Sequence, residues 1–176
     1  MLSSHIQLYF IGFLLSSFGG YIPTVGGLCS LAGLIVCLVA LKRLSGENQH
    51  LNDAFRFEVY AVFAAVLVLL AMVIPFLALI LPIVSVVLSL LAMYHLFYGF
   101  EEVAATHRLA YPQGRMQQCF TVSILSGVVG VVVSMLSYAM PGFSLVWIVT
   151  LVGVACSIII TVCLYQFLQA TKQASL

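Results

Sequence analysis

The stretch that decides the fold is VYAVFAAVLVLLAMVIPFLALILPIVSVVLSLLAMYHLFYGF, residues 59–100, which contains no Lys, Arg, Asp or Glu over 42 positions. A membrane-spanning helix needs about 20 apolar residues to cross roughly 30 Å of hydrocarbon. At about 1.5 Å per residue, one helix of this length would be about twice too long. Pro75 and Pro82 interrupt the stretch near its middle, and proline disfavours continuation of a helix. The stretch therefore predicts a transmembrane hairpin.

Composition points the same way for the rest of the chain. Of its 176 residues, 64% are hydrophobic and only 6% are charged, whereas soluble domains carry about 25% charged residues. Such a chain cannot cover a water-facing surface, so we expect an integral membrane protein with the lipid bilayer as its main partner. The net charge of +1 offers no basic patch for nucleic acid.

Charge-free intervals predict the number of spans. Each of the three intervals holds two spans of about 20 residues but not three. They cover residues 1–41, 59–100 and 116–171. The sequence therefore predicts one all-α membrane domain over 1–176, with six transmembrane helices arranged as three hairpins. The predicted hairpins cover 5–43, 58–100 and 118–168, and the predicted loops cover 44–57 and 101–117.

Glycine and proline predict where each hairpin reverses, because they stop helices and permit tight turns. The expected reversals are residues 19–27, 75–82 and 140–142. The predicted spans are 5–21, 25–43, 58–78, 82–100, 118–139 and 143–168.

Helix-end signals are readable in both loops. We expect Gly46 to end the second helix as a left-handed cap and Asn52 or Asp53 to cap the third helix. In the second loop, helix is expected to continue through Arg108, and Pro112-Gln113-Gly114 should then turn the chain.

Six spans place both termini and both loops on one side of the membrane. Every Lys and Arg lies on that side, so the positive-inside rule makes it cytoplasmic. The topology anchors are Lys42, Arg43, Arg56, Arg108, Arg115 and Lys172. The aromatic residues expected at the membrane interfaces are Tyr94, Tyr98, Trp147 and Tyr165. His95 is expected in the same aromatic belt.

Small residues recur at helix-packing spacing, chiefly on the first, fifth and sixth spans. Membrane helices associate through close van der Waals contact, which small residues permit. The candidates for packing within the chain or for a homo-oligomer are Gly12, Ser16, Gly20, Ser123, Ser126, Gly127, Gly130, Ser134, Gly153 and Ser157. If an oligomer interface exists, we expect it on the fifth span.

Catalytic, metal and cofactor sites are not predicted. His107 follows Glu101 and Glu102 by six and five positions, whereas ligands on one helix face need spacings of three or four. The five cysteines lie in or beside apolar runs without a CxxC pair, so we interpret them as packing residues. No ionisable residue lies in the middle of a predicted span, which disfavours an enzyme or an ion-coupled carrier.

The ends of the second, fourth and sixth spans share a pattern of small, apolar, anchoring, polar and apolar residues. The three segments are 40–44, 92–96 and 163–167. A triplicated hairpin would produce this pattern. Common anchoring at one interface would produce it equally well.

Part of the first hairpin resembles a known group of proteins. Ile22-Pro23-Thr24-Val25-Gly26 and the run from Leu34 to Ser45 resemble the opening hairpin of small, uncharacterised prokaryotic membrane proteins, grouped under domains of unknown function. Ala54-Phe55-Arg56 is similar to the start of their third span. The resemblance covers about a quarter of the chain. It implies a prokaryotic plasma membrane but no activity.

Three functions fit these features. The first is a non-enzymatic accessory, scaffold or assembly subunit that binds another membrane protein. The second is substrate capture, because six spans in so short a chain resemble the substrate-binding membrane subunits of energy-coupling-factor vitamin transporters. That resemblance makes Gly12, Ser16 and Gly20 a docking surface. The third is membrane shaping by hairpins that do not reach the far side.

Overall fold

The computed structural model describes the backbone of residues 2–19, 24–70, 75–139 and 146–174, and the side chains of 2–19, 24–67, 80–133 and 147–174. Within these residues it contains six α-helices and no strand, which confirms the all-α prediction. The helices are α1 (Leu2–Gly19), α2 (Gly26–Leu44), α3 (Gln49–Leu70), α4 (Pro75–Thr106), α5 (Arg115–Ala139) and α6 (Val146–Gln173).

Four stretches of helix, among the described residues, are long and apolar enough to cross a membrane. They are Gly26–Leu44, Ile80–Thr106, Arg115–Val133 and Trp147–Gln173. Large apolar side chains also cover much of the outer surface, as Leu28 and Phe63 illustrate with 70% and 64% of their surface exposed. An apolar exterior on this scale is expected where lipid replaces water. The fold is therefore that of a membrane-embedded helical protein.

The helices form a closed ring. Each helix contacts the helices before and after it in the chain, and α6 contacts α1. The contacts are most extensive within the pairs α1/α2 and α3/α4, and α5/α6 form a looser third pair. The ring thus consists of three helical hairpins side by side.

Among the described side chains, the largest fully buried ones gather at the end of the ring that carries both charged loops. Phe100 of α4 and Phe167 of α6 are fully buried, with ring centroids 5.3 Å apart, and Tyr9 of α1 meets Phe100 edge-on at 5.5 Å. The loop after α2 lies against α4, because the Asn48 side-chain amide donates a 2.8 Å hydrogen bond to the Gly99 carbonyl. One end of the ring therefore gathers the start of α1, the ends of α2, α4 and α6, and both charged loops.

The third helix begins earlier than predicted. Asn48 caps it, since its Oδ1 accepts a 2.8 Å hydrogen bond from the Leu51 amide. The prediction of Asn52 or Asp53 as the cap was therefore wrong, and residues 49–57 of the predicted 44–57 loop are helical. The prediction of Gly46 as a left-handed cap was also wrong. The last residue of α2 is Leu44, its cap Ser45 has a right-handed conformation, and Gly46 has no positive φ.

The fourth helix also begins earlier than predicted. Pro75 is its first residue, where a missing N–H costs nothing, and Pro82 lies inside it. The predicted reversal over 75–82 was therefore wrong, because membrane helices accommodate an internal proline. Between α3 and α4, residues 71–74 lie outside the described residues. Residues 20–23 and 140–142 of the other predicted reversals also lie outside them, as do 143–145.

The helix expected to continue through Arg108, within the predicted loop 101–117, ends two residues earlier. The α4 helix continues through Thr106 and α5 begins at Arg115. Gly114 adopts φ 79°, a left-handed conformation that favours glycine. The predicted turn at Pro112-Gln113-Gly114 is confirmed.

Candidate functional site

A cavity of about 210 Å³ lies inside the ring and is lined by residues of all the helices except α5. Its wall is mainly aliphatic and aromatic, with a few polar groups. The lining residues are Tyr9, Phe13, Ser16, Leu34, Cys37, Leu41, Glu58, Ala92, Met93, Leu96, Phe97, Ile160 and Leu164.

Helical spacing explains how these side chains converge. Residues three, four or seven apart share one face of a helix. On α1, Tyr9, Phe13 and Ser16 are spaced by four and three. The lining residues of α2, α4 and α6 follow the same rule: 34, 37 and 41, then 92, 93, 96 and 97, then 160 and 164. Each of these helices therefore turns one face to the cavity.

Glu58 is the only charged residue among the lining side chains and the only contribution from α3. It is half-buried. The sequence predicted Glu58 as the first residue of a span, at the membrane surface. Because α3 begins at Gln49, Glu58 lies about two and a half helical turns inside the helix. Choosing Asn48 as the cap would have placed Glu58 inside the helix, but it would not have shown that Glu58 faces a cavity.

Glycines bring α1 and α2 together beside the cavity. A Cβ added at Gly33 would lie 2.3 Å from the Ser16 backbone nitrogen, and one added at Gly12 would lie 2.7 Å from the Cys37 nitrogen. These distances leave no room for a Cβ atom, so only glycine fits at either position. The predicted packing residues Gly12 and Ser16 therefore lie on the α1/α2 contact, and Gly20 falls outside the described residues.

The packing candidates on the last hairpin have more open surroundings. Among the described residues, no atom lies within 4 Å of a Cβ added at Gly127 or Gly153, and at Gly130 the nearest atom is Val149 Cγ1 at 3.9 Å. The hydroxyls of Ser123 and Thr161 bond back to helix carbonyls, the latter to Ser157. Ser126 is half-buried, and the Ser134 side chain lies outside the described residues.

A histidine pair joins α3 to α4 near the charged end. His50 Nδ1 and His95 Nδ1 are 2.9 Å apart, so one nitrogen donates a hydrogen bond to the other. Phe57 stacks on the His95 ring. His95 was predicted in an aromatic belt facing the membrane interface, but it is half-buried between two helices. Tyr94 and Tyr98 lie beside it, with ring centroids 4.3 Å apart.

The other predicted interfacial aromatics and several anchors lie at the surface. Trp147 and Tyr165 are 63% and 49% exposed. Lys42 places its ammonium 5.0 Å from the centre of the Phe55 ring, a cation–π distance. Arg115 donates a hydrogen bond to Gln166 of α6. The remaining anchors, Arg43, Arg56, Arg108 and Lys172, are exposed.

The acidic and histidine residues of the second loop do not form one site. Glu101 caps α5 by accepting hydrogen bonds from the Gly114 and Met116 amides, at 2.5 and 3.3 Å. His107 instead lies 3.5 Å from Glu47 in the first loop. Among the described residues, no three His, Cys, Asp or Glu side chains are grouped to hold a metal.

The shared pattern at the ends of α2, α4 and α6 corresponds to a shared packing position. The first and last residues of the pattern are buried in all three helices. The pairs are Ala40 and Leu44, Ala92 and Leu96, and Cys163 and Phe167. The third and fourth positions of the pattern differ in exposure. Lys42 and Arg43 are exposed, whereas Tyr94 and His95 are half-buried. Triplication and common anchoring both predict this burial.

Comparison with protein-family models, with curated proteins and with solved structures finds no match to this chain.

Proposed function

We propose that this chain is a six-span membrane protein that captures a small solute in the cavity at the centre of its ring. Both termini and both charged loops lie on the cytoplasmic side in this proposal, because that end carries all the Lys and Arg residues. The cavity is the observation that carries the proposal. A mainly apolar pocket with a few convergent polar groups is the usual form of a small-molecule site.

The size of the cavity limits the solute. At about 210 Å³, it is smaller than the roughly 300–1,000 Å³ pockets that take drug-sized ligands. A whole vitamin of the kind carried by energy-coupling-factor transporters is therefore a poorer fit than a smaller solute. No enzymatic step is proposed.

A thermal-shift screen of small solutes on the purified protein tests this function. We expect at least one solute to raise the melting temperature of the native protein, since ligand binding to the folded state stabilises it. Ala92→Leu should abolish that rise, because Ala92 is buried in the cavity wall.

Ala65→Leu is the matched control, since Ala65 is exposed and does not line the cavity. It should keep the full rise. A screen including vitamins that shifts no melting temperature would remove the proposal, as would a rise that Ala92→Leu leaves intact.

An accessory or scaffold role is the second candidate, and the outer face of α5 favours it. Gly127 is exposed, and so is Ile124, three residues earlier on the same helix face, so a partner helix has room to approach closely. Gly127→Phe should release a partner that co-purifies from native membranes or dissociate a homo-oligomer, whereas Val131→Ile should not. A native protein that is monomeric and free of partners would end this hypothesis.

The membrane-shaping hypothesis depends on how deep the three reversals reach, and it remains a prediction. A single cysteine at position 24, replacing Thr24, distinguishes hairpins that cross the membrane from hairpins that stop short of the far side. The five native cysteines are first replaced by serine or alanine. Six full spans predict labelling by an impermeant reagent from outside the cell. Protection of that cysteine would favour a hairpin wedge and would contradict the proposed topology.

A further inference from the structure

The Glu58 carboxylate belongs to the cavity wall. Among the described side chains, no Lys, Arg or His nitrogen lies within 4.0 Å of Glu58. The other lining residues include no basic side chain. A half-buried carboxylate in apolar surroundings is unfavourable unless it is protonated or paired with a positive charge. A positive charge bound beside Glu58 would supply this pairing.

The rest of the wall suits an organic cation better than a metal ion. Hard cations such as Ca²⁺ and Mg²⁺ require about six oxygen ligands. Besides Glu58, only Tyr9 and Ser16 bring side-chain oxygens to the wall. Aromatic rings, by contrast, attract an ammonium through their π faces, and Tyr9, Phe13 and Phe97 all line the cavity.

We propose that the cavity binds a small primary amine in its protonated form, with the ammonium at the Glu58 carboxylate. The apolar part of the amine lies against Leu34, Leu96 and Ile160, on the cavity walls formed by α2, α4 and α6. This assignment rests on the proposed capture function and adds the charge and class of the solute. The site uses one carboxylate from α3 and aromatic rings from α1 and α4.

Three probes of nearly equal size and different charge test the assignment: benzylamine, benzyl alcohol and benzoate at pH 7. Their binding to the purified native protein is measured by ligand-observed NMR, with protein-free detergent as the blank. We expect benzylamine to bind at least tenfold more tightly than benzyl alcohol, and benzoate to show no binding. This ranking requires no variant.

Glu58→Gln identifies the group responsible. It should remove the tenfold preference for benzylamine while binding of benzyl alcohol continues, because the amide keeps the side-chain size but not the charge. Glu102→Gln is the matched control, since Glu102 is exposed and does not line the cavity, and it should keep the preference. A thermal melt confirms that each variant is folded.

The outcomes separate the two proposals. Equal binding of benzylamine and benzyl alcohol, or a preference that persists in Glu58→Gln, would overturn the amine assignment and leave the capture function standing. Absence of binding by all three probes, together with a negative solute screen, would overturn both. A preference for benzylamine that Glu58→Gln abolishes supports both.

Discussion

The first and last hairpins have similar small-residue patterns but different surroundings. Gly12 and Ser16 on α1 lie against α2, where Gly33 lets the two backbones approach closely. Gly127 and Gly153, on α5 and α6, have no atom of the described part of the chain within 4 Å of an added Cβ. The same spacing thus closes one hairpin and leaves the other open. A small-residue stripe identifies a surface that permits close approach but does not identify what approaches it.

The largest expected effect comes from the aromatic contact that joins these two hairpins through the middle one. Phe100 is fully buried between Tyr9 of the first hairpin and Phe167 of the last. Phe100→Ala should lower the free energy of unfolding by about 3–5 kcal/mol, through lost burial and an unfilled cavity.

Denaturant titration in detergent measures this change. Phe63→Ala is the control, because Phe63 is 64% exposed, and it should change stability far less. Equal losses in the two variants would contradict the placement of the core at the charged end.

Gly33→Ala tests the close approach in the first hairpin. The new Cβ would lie 2.3 Å from a backbone nitrogen of α1, which cannot rotate away. We expect the free energy of unfolding to fall by about 1–3 kcal/mol. Gly127→Ala should instead leave it unchanged or raise it by up to about 1 kcal/mol, through better helix propensity. If both variants behave alike, the two hairpins do not differ as described.

Tyr111 tests the junction between the second loop and α6. Its ring packs edge-on against Phe167, and its hydroxyl is buried without a hydrogen-bond partner among the described residues. Tyr111→Phe should therefore raise stability by about 1 kcal/mol, since a buried unpaired polar group is costly. Tyr165→Phe, which loses a hydrogen bond from Gln169, should not raise stability at pH 8.

The same substitution has a pH signature. Burial, as the largest cause, raises the pKa of Tyr111 well above its ordinary value. The folded chain then keeps a proton that the unfolded chain releases above about pH 10. The free energy of unfolding of the native protein should therefore fall as pH rises above about 10. The free energy of unfolding of Tyr111→Phe should fall less over the same range. Parallel stability curves for the two proteins from pH 8 to 11 would contradict this.

The smallest expected effect is at the end of α4. Arg108 has φ 48°, and its amide and that of Leu109 bond to the carbonyls of Ala105 and Ala104, which is a Schellman cap. Arg108→Gly should raise stability by about 0.5 kcal/mol. Glycine relieves roughly 1 kcal/mol of left-handed backbone strain. This gain is partly offset because glycine increases the conformational entropy of the unfolded chain. Arg108→Ala keeps the Cβ, so thermal melts should show no comparable gain.

Several features of the fold could be predicted from the sequence. Helices were predicted in all six places because the charge-free intervals are too long for one span each and contain Gly or Pro. The turn at Gly114 followed from its local residues. The start of α3 was predicted wrongly, because Asn48, Asn52 and Asp53 are all good caps. Only Asn48 also reaches the Gly99 carbonyl on α4, which is a long-range contact.

The sequence alone determined the apolar character of the chain, its helical class and the grouping of charge at the ends of hairpins. These depend on composition and on spacing along one helix. Tertiary structure decided that Glu58 lies in a cavity and that Gly33, rather than Gly127, is enclosed. Both depend on which helix face meets a neighbour, and spacing along a single helix does not specify that neighbour.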